Sequence, residues 1–149
     1  MNKELIPPAI SLHRYFMAAN RMRELFQHTL RSFDIGAYAD QPFLAAFMLH
    51  ADEPGIFMSY WYSGLHVVIE GWLELRLSDP RIDALLQSPH VKTLRRYRNA
   101  TFHFHADYMS QKHLDFMRDS QSAVAWVREL TTAFSDYFLA TNEQTAGNA

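Results

Sequence analysis

The stretch "RRYRNATFHFH", residues 95–105, gathers the side chains of this sequence best suited to chemistry on a phosphate. Arg95, Arg96 and Arg98 are permanent cations whose planar forks match phosphate oxygens, and Asn99 adds an amide that can orient a neighbour. His103 and His105 titrate near neutrality, so each can take or give a proton at physiological pH. From Leu85 to Ala106 no Asp or Glu interrupts the run; Lys92 extends its positive charge, and His90 adds more on protonation. Elsewhere acids and bases are mixed, and a formal net charge of −2 excludes a protein that coats nucleic acid by bulk electrostatics. Any polyanion has to be held by this local patch.

Within the patch, Arg98-Asn99 followed by His103 gives Arg-x4-His, and His105 makes the spacing Arg-x6-His as well. "RNATFH" resembles the motif of the HEPN superfamily, small helical bundles identified by Arg-x4-6-His, often opened by Arg-Asn and carried on a late helix. The resemblance covers the motif, the preceding segment "YWYSGLHVVIEGWLEL" and an all-helical plan. It implies a homodimer that cleaves RNA without a metal or other cofactor, at a site composed of one motif from each copy. Under that implication Arg98 clamps the phosphate oxygens as charge builds, His103 or His105 is the acid or base, and Asn99 orients one of them. The toxin branch of the family often has a tyrosine two places after the histidine, which a partner nucleotidyltransferase modifies. His105 stands there instead, so that modification is not expected.

Helix geometry leaves both histidines as candidates. At about 100° per residue, Arg98 and His103 diverge by roughly 140°, whereas His105 returns near Arg98 two turns along. Val91, Leu94, Thr101 and Tyr108 share that second face, and Asn99 pairs with His103 at i,i+4 on the other. Lys92, Arg95 and Arg96 are the supporting binding residues, and Glu70 is a carboxylate able to pair with Arg98, Arg95 or Arg96 if their helices are neighbours.

Other chemistries have less in their favour. A strand "FHFHAD" would align His103 and His105 with Asp107 or His113 around a divalent ion, but a helix separates the two imidazoles by about 160°, so no metal is expected. Zero cysteines excludes disulfides, thiolate zinc sites and cysteine nucleophiles, and no serine or glycine context suits an acyl-transfer elbow or a phosphate loop. The aromatics Tyr60, Trp61 and Tyr62, with Phe102, Phe104 and Tyr108, suit base stacking or, equally, a core or interface. Two milder functions stand beside the nuclease. One is a noncatalytic binder of RNA or nucleotide phosphate; the other is a helical interaction or structural protein that keeps the motif as scaffold and presents an apolar patch to a protein partner.

The elements that must position these residues are all helical, and 149 residues with 48% hydrophobic content suffice for one core. The pattern predicts a helix capped by Ser11, carrying Leu12, Phe16, Met22, Leu25, Phe26, Leu30 and Phe33, and stopped by Gly36. "QPFLAAFMLHADEPG" predicts a shorter helix ended by Pro54-Gly55. Trp61, Leu65, Val68, Trp72 and Leu75 form the most regular seam, with Gly64 and Gly71 on its flank for a close helix approach and Ser63, His66, Glu70 and Glu74 opposite. Ser78 or Asp79 caps a short helix opened by Pro80, Ser88 caps the motif helix, and residues 105–120 form a loop or short helix. A last helix from about Asp119 to Ala140 carries Val127, Leu130, Phe134 and Tyr137. The expectation is an all-α, four-main-helix up-and-down bundle over 1–140 with a flexible tail at 141–149. No apolar run approaches the roughly 20 residues of a membrane span and no signal-peptide pattern opens the chain, so a cytoplasmic protein is expected.

Overall fold

A computed structural model describes residues 7–108, 110–118 and 120–147. Among the described residues seven α-helices follow one another: α1 (Pro8–Leu30), α2 (Pro42–Ala51), α3 (Glu53–Glu74), α4 (Pro80–Leu85), α5 (His90–Phe102), α6 (Gln111–Arg118) and α7 (Ser120–Gly147). A 3-10 turn, Ile35–Tyr38, lies between α1 and α2, and no strand occurs among the described residues. None of these helices is long and apolar enough to cross a membrane.

The central element is α3. Its predicted seam is buried at Trp61, Leu65, Val68 and Trp72, joined by Phe26 of α1, Tyr97 of α5 and Phe134 of α7 in one core. Ser63 and His66 are buried too, although the pattern puts them on the polar side. The reason is that α3 is enclosed from two sides, by α1 along one flank and α5 along another, so only Glu70 and Glu74 of that expected polar row reach solvent. The close approach of α1 is where the glycines predict it. A Cβ on Gly64 would stand 3.0 Å from that of Ala19, and one on Gly71 would stand 2.5 Å from Cδ1 of Leu12.

Helix ends depart from the sequence pattern. The first helix starts at Pro8, whose missing N–H costs nothing at the first position, so Ser11 lies inside it; it stops at Leu30, ahead of Gly36. Asp34 accepts a hydrogen bond from the Ala37 N–H and starts the 3-10 turn that contains that glycine. Pro54-Gly55 does not end α2; it opens α3. Asp52 is the single residue between the two helices, and its carboxylate accepts from the Glu53 N–H at 2.8 Å. A Cβ on Gly55 would lie 2.1 Å from the Leu49 carbonyl oxygen, so the corner can close only around a glycine.

At its other end α3 closes in a Schellman turn. The Leu77 N–H reaches the Trp72 carbonyl and the Arg76 N–H that of Leu73, with Arg76 left-handed at φ 51°. Asp79 then caps α4 through the N–H groups of Arg81 and Ile82, while Asp83 accepts from Ser78, the Asp79 N–H and the Trp72 indole. The segment after the motif, expected as a loop or short helix, contains the short helix α6, and the last helix continues past Ala140 to Gly147.

A candidate phosphate site on the motif helix

Residues Leu94, Tyr97 and Ala100 recur every third position along α5 and are buried, which fixes the rotation of the motif helix against α3. The N-cap of α5 is Pro89, which makes no side-chain cap, rather than Ser88; the Ser88 hydroxyl still accepts from the His90 N–H at 3.2 Å. The helix stops at Phe102. His103 is extended (φ −117°, ψ 135°), and its N–H still bonds the Asn99 carbonyl at 3.0 Å. The motif therefore straddles a helix end: Arg98 and Asn99 lie inside it and His103 just beyond.

That termination corrects the helical arithmetic. His105 does not return to Arg98's face two turns along, because no second turn exists, and Tyr108 stands exposed outside the helix. His103 is exposed. His105 is half-buried, with its Nε2 buried and without a hydrogen-bond partner, and it is close enough to His113 to depress that residue's pKa. No group of three or more His, Cys, Asp or Glu able to hold a metal ion occurs among the described residues.

Glu70 projects from α3 onto Arg98. Its Oε1 accepts from the Arg98 guanidinium at 2.5 Å, and the two side chains are 46% and 23% exposed. The same oxygen lies 3.7 Å from Nδ1 of the buried His66. Burial pushes the His66 pKa down to about 4; the Glu70 carboxylate opposes the shift, and Arg98 and Arg95 add to it, so this imidazole is neutral at pH 7. Arg96 is held 2.7 Å from Asp115 of α6. Lys92 and Arg95 are exposed, and Asn99 is half-buried. The structure thus brings together Glu70, Arg98 and His66, pairs Arg96 with α6, and leaves His103 exposed while His105 is half-buried beside His113.

Behind the motif lies a polar cluster that the sequence pattern does not reveal. The buried Tyr97 hydroxyl is 3.0 Å from His50 Nε2 and 2.9 Å from the Ser59 hydroxyl. The His113 ring stands edge-on to Tyr97 with centroids 5.0 Å apart, and its Nδ1 is 3.1 Å from the Ser110 hydroxyl. His50 is depressed by burial against the opposing carbonyl of Ala46, and His113 is depressed to about 4 by burial, then by His50 and His105. Tyr97 sits among apolar seam positions, and its partners are 38 and 47 residues away, so no local spacing marks the group.

Comparison with family models, with curated proteins and with solved structures found no match for this chain.

Proposed function

We propose that this chain is a HEPN-like helical bundle that acts as a homodimer to bind and cleave RNA at a phosphate site built on α5. The observation that supports this reading most directly is the Glu70–Arg98 pair, which holds one edge of a partly exposed guanidinium while His103 stands exposed five positions later. An arginine held in this way meets a phosphate with less conformational freedom to lose. Lys92 and Arg95 are exposed cations along the same helix for the flanking backbone.

The chemistry assigned to the dimer is transfer to the neighbouring ribose oxygen. One His103 takes the proton of the 2′-hydroxyl as that oxygen bonds phosphorus. The His103 of the second copy gives a proton to the departing 5′-oxygen, leaving a 2′,3′-cyclic phosphate and a 5′-hydroxyl. Arg98 stabilises the charge that builds on the equatorial oxygens. His103 takes the role ahead of His105 because it is exposed, whereas His105 is half-buried beside His113.

The test is cleavage of single-stranded RNA in chelator by the wild type and by Arg98→Ala, His103→Ala and His105→Ala. Arg98→Ala and His103→Ala should each lose on the order of 100-fold in rate. Equal activity in all three variants and the wild type rejects the assignment.

A second reading has its own support. Phe104 is 94% exposed, and Tyr108 and the edge-on pair Tyr60–Phe102 are exposed as well, aromatic surface that a protein partner would cover. On that reading the wild type shows no cyclic-phosphate product and no salt-dependent RNA binding.

A further inference from the structure

We infer that the chain carries a second binding site, separate from the phosphate site, for an uncharged and largely apolar small molecule in the cavity under α2. The cavity measures about 770 Å³, within the ~300–1,000 Å³ typical of small-molecule sites. Its walls include Phe43 and Leu49 of α2, Met58 of α3, Leu114 and Phe116 of α6, and Val124 of α7.

Three observations point to a ligand of this class. First, among the described residues no Lys, Arg, Asp or Glu lines the cavity, so most of its wall offers an entering ion nothing in exchange for its water. Second, α2 is apolar from Pro42 to Leu49, yet none of its residues is fully buried. An apolar guest would complete the burial that the chain leaves unfinished. Third, polar groups stand at the wall. Tyr62 is buried and lines the cavity, so its hydroxyl is a donor available to a guest's carbonyl or ether oxygen.

His50 and Tyr97 line the same cavity, and their mutual bond and the Ser59 contact hold them in one orientation. A second, smaller cavity of about 240 Å³ also includes His50, with Ser59 and His113 on its walls. The polar cluster is therefore the partition between an apolar chamber and a more polar one, and the guest's single polar end is placed at that partition.

The probe is Nile red, an uncharged dye with a carbonyl acceptor, whose emission brightens and moves to the blue in apolar surroundings. Titrated into the full chain, it should bind saturably with one dye per chain and a Kd of about 1–10 µM. The anionic dye anilinonaphthalene sulfonate should bind about tenfold more weakly, because an apolar wall does not replace the water its sulfonate loses. Tyr62→Phe should weaken Nile red about fivefold by removing the donor. Ala46→Trp fills the chamber and should abolish binding; Ala39→Trp, at an exposed rim position, should do the same in case the first variant does not fold. Arg98→Ala should leave the dye unaffected, which separates this site from the phosphate reading. Absence of saturable binding, binding unchanged in a folded tryptophan variant, or equal affinity for the anionic dye would each overturn the inference.

Discussion

The carboxylate of Glu70 accepts a 2.5 Å hydrogen bond from the guanidinium of Arg98, joining the central helix to the motif helix. Because both side chains are partly exposed, the pair contributes less than about 1 kcal/mol to stability. Its effect is on position. Glu70→Gln keeps the shape and removes the charge, so urea denaturation should shift little while RNA cleavage falls about tenfold. The loss should appear in kcat more than in KM, and Arg98→Lys should not restore it, since a point charge cannot hold two acceptors in a fork. Unchanged cleavage by Glu70→Gln removes the positioning role.

Stability should decline on mild acidification through His66 and His113. Both are depressed from 6.5 to about 4 in the folded chain, chiefly by burial. As pH falls, the unfolded chain therefore takes up these protons first. The stabilising contribution is whole above about pH 6.5, shrinks on the way down, and is exhausted near pH 4, where both states are protonated. Denaturant midpoints measured from pH 7 to 4 should trace this decline, and the double variant His66→Gln, His113→Gln should flatten it. An equally steep curve in the double variant assigns the acid sensitivity elsewhere.

Arg76 occupies a left-handed backbone position that suits glycine, at the close of α3. Arg76→Gly should raise stability by up to about 1 kcal/mol, since relief of the steric cost outweighs the added freedom of the unfolded chain. A lower melting temperature would show that the arginine side chain makes up the difference.

The glycines of α3 should respond unequally to alanine. At Gly55 the new methyl meets the Leu49 carbonyl and the His50 Cα, backbone that cannot step aside, and a loss of about 3 kcal/mol is expected. At Gly71 it meets only the end of the Leu12 side chain, which can change rotamer, and the gain in helix propensity offsets that shift to within about 1 kcal/mol. Thermal unfolding of the two variants side by side settles the order. Equal losses would mean that the α2–α3 corner yields more easily than its distances require.

The legible parts of this fold are those written in periodicity. The four–three alternation from Trp61 to Trp72 marks the core face of α3, and Val127, Leu130 and Phe134 do the same for α7. Local pattern fails where burial depends on how many neighbours surround a helix. Ser63 and His66 read as a polar flank, yet α1 and α5 enclose them. It fails again at ends: Pro54-Gly55 carries the composition of a stop and serves as a start, because Asp52 supplies the cap. Of the candidate site, a pair between Glu70 and one of Arg98, Arg95 or Arg96 was legible from charge, without the choice among the three. The inward course of His105 was not, since it follows from the helix ending at Phe102, and the Tyr97 cluster is assembled wholly by tertiary packing.

The elbow at Asp52 has a consequence for how this chain can vary. With one residue between α2 and α3, there is no slack to absorb a change in length. Inserting a single residue there would rotate α2 by about 100° and carry Leu49 away from the core it now lines. Between α1 and α2, where a short 3-10 turn is flanked by irregular chain, an insertion has room to bulge outward. Lengthening is thus tolerated on one side of α2 and forbidden on the other.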